Sequence, residues 1–335
     1  MKEILRLIPA RLSIFNNTNL TTNNTAGTND LSPEMKTFYS DYLIDVAEPL
    51  LVHDQFGQKR PIPANGGKTI EFRKYSQLPK ATTPLTEGST PSGQYLNVST
   101  VTATVAQYGG YVELSDVLLL TAIDNNMVEA TKLLGGQAGR TLDHITREVL
   151  NAGTNVIRVN DRAARTSLVA STDKLTVKDI RKAVRELKLK NADTINGDYV
   201  GIIHPDCEFD LMDDNDWKYP HQYVDTDGIY SNEIGKIAGV RFVETTEAKV
   251  FKAGGASSAN VYSTLIIGAN AYGVTEVTGG GLRHIVKQLG SGGTADPLDQ
   301  RATVGWKALK TAEILVNEYM VRIESTSSFA TTDDN

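Results

Sequence analysis

The chain of 335 residues has a single cysteine, Cys207, so no intrachain disulfide can form and no thiolate cluster can hold a metal. That usage suits a reducing cytoplasm. Long hydrophobic runs are missing too: nothing approaches the roughly 18 unbroken apolar residues of a spanning helix. Met1–Phe15 is mildly apolar, but Glu3, Arg6, Pro9 and Arg11 interrupt it, and a signal-peptide core is not expected there. A basic excess is absent. Lys and Arg number 34 against 40 Asp and Glu, a formal charge of -6, which argues against broad phosphate-neutralising contact with nucleic acid. One basic run opposes the trend: Arg181, Lys182, Arg185, Lys188 and Lys190 sit on an expected helix, and they read as a solvated face.

Catalytic patterns are equally scarce. The histidines, His53, His144, His204, His221 and His284, are scattered, with no two at helical ligand spacing. His204, after an apolar strand and before Pro205, is expected to be hydrogen-bonded structurally. Asp213-Asp214-Asn215-Asp216 and the pair Asp225 and Asp227 have the look of calcium loops, but the central glycine and closing glutamate are not at the right offsets; turn chemistry is expected instead. Gly279-Gly280-Gly281 and Gly290-Ser291-Gly292-Gly293 fit neither a P-loop nor a dinucleotide fingerprint. No Gly-x-Ser-x-Gly elbow is present. Cys207 reads as a small buried hydrophobe, inward-facing with Phe209 and Met212. No catalytic, cofactor-binding or metal-binding residue is proposed from the sequence.

What is present is an ordinary globular balance, 40% hydrophobic and 22% charged residues, organised as alternating helices and strands. Residues 16–30 are a polar tract with almost nothing to bury. Ser32-Pro33-Glu34 marks a helix start, with Ser32 as the cap. Lys68–Tyr75 alternates as a strand, and Leu96–Val105, rich in β-branched residues, reads as its partner. About twenty residues with Pro79, Pro84, Gly88, Pro91 and Gly93 separate them, a length that points to a functional or intermolecular element, with a floppy surface hairpin as the alternative. A long helix carries Met127, Leu134, Ala138, Leu142, Ile145 and Val149 at three- and four-residue steps, with Asp124 as cap and Gly153 as stop. Gly135, Gly136 and Gly139 in its middle imply close backbone packing or a bend. Thr176 is expected to cap a helix with Asp179 at the reciprocal position. Tyr199–Ile203, Val240–Val243 and Val261–Ile267 read as strands, and a short helix follows His204. Thr303–Glu324 reads as extended, with a phase slip implying a bulge or turn near Asn317-Glu318.

Several strings then match one family. They are Val52–Gln58, Gly66–Lys74, Ile234–Thr245 and Ala295–Lys307, within a similarity running from about Leu31 to Glu324. On them the chain resembles the major capsid proteins of tailed bacteriophages. The resemblance implies an α+β fold of the tailed-phage capsid kind: an N-terminal arm with a short helix over 1–60 and an extended two-stranded loop over 61–110. It implies a peripheral domain with a long spine helix over 111–154, an axial domain over 155–290, and peripheral strands with a C-terminal tail over 291–335. It implies a structural subunit of the virion, assembled in the host cytoplasm. The subunit would pair with itself as pentamers and hexamers of an icosahedral shell, with portal and scaffold or decoration proteins as further partners. DNA would be enclosed without sequence-specific binding, and no membrane or cofactor is involved. Some capsids of this fold join subunits by a lysine–asparagine bond; no such link is assigned here. Arg60, Lys74, Lys80 and Glu87 are the candidate assembly residues. A cargo-holding nanocompartment of the same fold and a soluble enzyme are the alternatives.

Overall fold

The computed structural model describes residues 51–330 apart from 64–66, 76–77, 122–125, 218–234, 277–280 and 294–295, and for Lys74, Tyr75 and Glu276 it describes the backbone alone. The helix expected from Ser32, the cap Asp124, His221 and the pair Asp225 and Asp227 lie outside the described residues. Elements are numbered along the chain.

A five-stranded sheet is built on β13 (Arg301–Ile314). Along one edge β4 (Ala106–Ser115) pairs with it from Ser115 opposite Arg301 to Ala106 opposite Lys310. The other edge is shared end to end by β12 (Arg283–Lys287) and β11 (Tyr272–Glu276), and β1 (Gln58–Lys59) adds on parallel to β11. The short α1 (Asp116–Thr121) follows β4, and α2 (Asn126–Asn151) then lies across β13. Leu134, Ala138 and Leu142, spaced to share one helix face, pack on Val304, Trp306 and Ala308. Each larger side chain among them contributes roughly 1.5–3 kcal/mol by burial.

The second sheet has seven strands: β5 (Val156–Arg158), β14 (Met320–Ser325), β10 (Val261–Ile267), β6 (Tyr199–Ile203), β8 (Val240–Glu244) and β7 (Lys236–Ile237) in spatial order, with β9 (Val250–Phe251) also against β10. On one face α3 (Val177–Leu189) and α4 (Pro205–Asp213) cover the core through Ile180, Val184, Leu187, Cys207 and Leu211. Against the other face lie Val52, Leu150 and Tyr272. The last turn of α2 therefore belongs to the second sheet while its middle belongs to the first. The remaining two strands, β2 (Thr69–Tyr75) and β3 (Val98–Thr104), form a separate antiparallel hairpin with Tyr75 opposite Val98.

Close approach explains several glycines. A Cβ on Gly109 would stand 2.6 Å from the Trp306 carbonyl oxygen, one on Gly110 2.5 Å from Gln137 Oε1, and one on Gly305 2.8 Å from Tyr111 Cβ. These residues let α2 settle over Trp306, whose indole N–H donates to Gln137 Oε1 at 3.1 Å. Gly135 and Gly139 are buried on the sheet side of α2, as expected of close packing. Gly136 has open space where a Cβ would go, and nothing in the structure explains it.

Some expectations change. The boundary at 110 falls inside β4: residues 106–110 pair with β13, and the hairpin ends at Thr104. The boundary at 290 also divides paired strands, since β11 and β12 belong to the sheet of β13 while β14 joins the other sheet. The cause is the slip after Ile314. Leu315 and Val316 donate their N–H groups to Ala271 O, a single 3-10 turn forms at Asn317–Tyr319, and the chain crosses between sheets there. Thr176 holds the N-cap position of α3, but its hydroxyl donates to Asp179 Oδ2 at 2.6 Å, and Asp214 accepts from Val177 N–H at 3.0 Å instead. Phe209 does not face inward with Cys207; it is 58% exposed, because residues 207 and 211 already take the buried face of α4. Gly153 follows α2 as expected, yet what it accommodates is the Met320 and Asn317 side chains.

Candidate assembly surface

The hairpin is fixed at its base and bare beyond it. Val105 N–H donates to Lys68 O at 2.8 Å, and Phe72, 4% exposed, lies where a Cβ on Gly273 would meet its ring at 2.8 Å. That contact seats the hairpin on β11. From 78 to 100 every described residue is exposed. The turns within this stretch are local, Thr82 N–H to Lys80 O at 3.1 Å and Ser89 N–H to Thr86 O at 3.1 Å. Large apolar side chains stand in the open there: Tyr95 at 90%, Leu85 at 77% and Leu96 at 68%. Tyr95 and Leu96 adjoin in sequence, and contiguous exposed apolar surface marks interaction sites.

The candidate assembly residues are spread along this element. Lys80 and Glu87 are exposed on the connection, with Glu87 next to Gly88, whose φ is +77°. Lys74 is on β2, opposite Ser99. Arg60 is apart from them, exposed just beyond β1, where its N–H donates to Val274 O at 3.2 Å. It lines a cleft of about 630 Å³ together with Lys59, Asp54 and Lys310. The structure does not bring the four together.

Beneath that cleft lies a buried polar lock that sequence reasoning missed. The His53 N–H donates to Asp143 Oδ1 at 2.7 Å, and its ring Nδ1 meets Oδ2 of the same carboxylate at 2.6 Å. The Tyr272 hydroxyl donates to His53 O. Next to it, Thr146 donates to Asp54 Oδ1 at 2.5 Å, and the Lys310 ammonium bridges Asp54 and Leu142 O. Burial, then the charge of Asp54, pushes the Tyr272 phenol up. His53 and Asp143 are 1% and 0% exposed as side chains, so the pair is closed to solvent. Its effect is mechanical: it ties the segment before the hairpin to α2 and β13. The signal was the dipeptide His53-Asp54 inside one of the matching strings, but its partners stand some ninety residues or more away in sequence.

Chemistry elsewhere is quiet. Cys207 is wholly buried, and burial pushes its thiol up to about 12, so it carries no thiolate at neutral pH. The His204 ring accepts from Asp206 N–H at 3.2 Å at the start of α4, the structural role expected of it. Asp214 accepts from Val177 and Asp216 N–H groups, which is turn and cap chemistry. Among the described residues no three His, Cys, Asp or Glu stand where they could share a metal, and no helix is long and apolar enough to cross a membrane.

Comparison with known proteins follows the same line. A family model described as phage capsid protein matches residues 98–330, well over half of the chain. No curated protein matches the sequence. Among solved structures, a capsid of cyanophage Pam1 shares 14% identity with TM-score 0.66, over 94% of this chain and 99% of that one. The capsid of Ralstonia phage GP4 shares 15% with TM-score 0.63, over 84% and 88%. The acid-stable capsid of Helicobacter pylori bacteriophage KHP30 shares 13% with TM-score 0.58, over 93% and 97%. At these identities the likeness is one of fold.

Proposed function

This chain belongs to the phage capsid protein family and is a shell-forming structural subunit, and from that premise we propose how it builds its shell. The hairpin of β2 and β3 is the extended loop, and it lies across a neighbouring copy. The observation that carries this is the exposure of Leu85, Tyr95 and Leu96 on a stretch with no core of its own. Lys74, Lys80 and Glu87 set the polar contacts of that loop, and Arg60 those of its root. The five-stranded sheet with α2 acts as the peripheral domain, and the seven-stranded sheet as the axial domain at fivefold and sixfold centres. Many weak contacts of this kind become cooperative when a shell closes. Further partners are a portal and scaffold or decoration proteins. DNA is enclosed without sequence-specific grip, in keeping with the charge of -6, and assembly takes place in the host cytoplasm. The chain works as a structural part and not as a catalyst.

Negative-stain microscopy of the concentrated pure protein tests this reading. Rings or closed shells are expected. A sharp monomer by light scattering across salt and concentration, with no particles on the grid, overturns it.

A further inference from the structure

The basic run of α3 borders a shallow cleft. The helix spans Val177–Leu189, with Ile180, Val184 and Leu187 turned to the core. Its outer face has Arg181, Arg185 and Lys188 exposed, and Leu189 is 63% exposed among them. Arg181 is paired with Asp216 at 3.4 Å, whereas Arg185 and Lys188 make no ion pair among the described residues. Together with Val184 and Ala238 these side chains line a shallow cleft of about 390 Å³. Its floor is apolar and its rim is cationic. A polynucleotide would want phosphate contacts without such a floor. An apolar side chain flanked by carboxylates fits both parts.

This chain presents that shape on α4. Phe209 projects from it, 58% exposed, with the Phe329 ring beside it at 5.3 Å between centroids. From Pro205 to Trp217 the segment holds Asp206, Glu208, Asp210, Asp213, Asp214 and Asp216 and no basic residue; Asp213 and Asp216 are exposed. Phe209 lies by the start of α3, where Lys174, which precedes the helix, reaches Asp210 of α4 at 3.5 Å. The cleft runs from Arg181, which holds Asp216 of the same chain, to Leu189 at the other end of the helix, so its free cations, Arg185 and Lys188, lie beyond the reach of this chain's own Phe209. Two complementary patches so placed make a head-to-tail contact, the kind that closes into rings.

We propose that the Phe209 knob of one copy, with its aspartates, seats in the Arg185–Lys188–Leu189 cleft of the next copy around each ring of the shell. The proposal rests on the shell-forming reading and names a contact within it.

The test uses the full chain in an assembly assay read by light scattering and microscopy, with thermal melting as the control for folding. The cleft variant Arg185→Glu with Lys188→Glu and the knob variant Phe209→Ser both change exposed side chains, so each is expected to melt as the parent does. Particle yield is expected to fall at least tenfold in both. Adding Asp213→Lys to the cleft variant is expected to restore half or more of the yield, because the opposed charges are exchanged across the joint. If the parent forms no rings or shells, the shell-forming reading has failed. If the parent assembles and both variants assemble equally well, this contact alone is refuted. Full particle yield with less enclosed DNA in the cleft variant also refutes it, because the face would then meet the genome.

Discussion

All seven residues of β10, Val261–Ile267, are buried, while every described residue from 78 to 100 is exposed. The two stretches differ in composition, one a β-branched apolar run and the other interrupted by Pro79, Pro84, Gly88, Pro91 and Gly93, and they differ in what surrounds them. β10 has β14 on one side, β6 and β9 on the other, and cores on both faces. The hairpin has a partner strand and, among the described residues, two buried side chains near its base, Phe72 and Ala103. One region holds its shape by itself, and the other, on the function proposed above, is completed by a neighbour. On that division different mutations are expected to fail in different ways: changes in the sheets act on the subunit, and changes in the hairpin act on the shell.

The largest effect on the subunit is expected at Glu324 on β14. Its side chain is 0% exposed, and Arg158, Arg165 and Arg322 reach it at 3.0, 2.5 and 3.0 Å. Arg165 also stacks over the Phe251 ring at 3.5 Å. Burial raises the carboxyl pKa, but the hydrogen bond from Arg165 and the charges of the three arginines outweigh it and hold the group below its usual 4.5. Its folded pKa being lowered, its contribution is present above about 4.5 and is lost as pH falls through the lowered value. Glu324→Gln leaves buried guanidinium charge uncompensated, and a loss of about 3–5 kcal/mol by chemical denaturation at pH 7 is expected. A loss under about 1 kcal/mol would mean that this sheet tolerates polar disruption as a surface does, and the comparison with the hairpin would break.

A smaller effect of opposite sign is expected at Glu208 on α4. Burial first, and then Glu244 beside it, pushes its carboxyl up to about 7. The folded chain therefore keeps a proton that the unfolded chain releases from about 4.5 upward, so stability falls as pH rises across that window. Glu208→Gln removes the ionisation. It should add roughly 1–2 kcal/mol at pH 8 and nothing at pH 4, where the native carboxyl is already neutral. Equal gains at both pH values would show packing, and not charge, to be the cause.

How much of this was legible in the chain beforehand depends on how local the cause was. Tyr199–Ile203 and Val261–Ile267 are continuous apolar runs, and α2 and α3 carry clear helical spacing, so these elements could be read directly. The hairpin was readable for the same reason, with its strands given by alternation and its loop by prolines and glycines. β4 escaped because Gly109-Gly110 sits in its middle. Glycine argues against a strand unless another backbone must come close, and here that backbone is β13 beneath α2, two hundred residues away in the chain. β11 and β12 are short and were absorbed into the wrong unit. The exchange of β14 into the second sheet showed only as a phase slip, which signals a turn but not its destination. The His53–Asp143 and Asp54–Lys310 pairs left no mark, because nothing in a local pattern says which distant group a buried charge will meet.

The least change to the subunit, and the greatest to the shell, is expected from shortening the hairpin. Replacing residues 76–97 by Asn-Gly leaves Tyr75 and Val98, already opposite each other, as the closing pair of a two-residue turn that favours those residues. What is removed has few internal ties, among them Gln94 Nε2 to Pro79 O at 3.3 Å, and no described residue of it is buried. Closing a shorter loop is entropically easier by about 0.6 kcal/mol per halving of its length. Some of that gain is offset by the lost contacts, and a net change of about 1 kcal/mol or less is expected. The anchor at Phe72 and the register of β2 with β3 stay in place. Tyr95, Leu85 and Leu96 go, however, and each copy loses the same apolar contact with its neighbour, so the loss recurs at every joint of a closed shell. A soluble subunit that melts cooperatively near the parent midpoint but forms no shells is the expected result. Shells at parental yield would make the loop mere surface decoration. Failure to fold would place these residues in the core, and the contrast between a self-sufficient body and a neighbour-completed hairpin would be wrong.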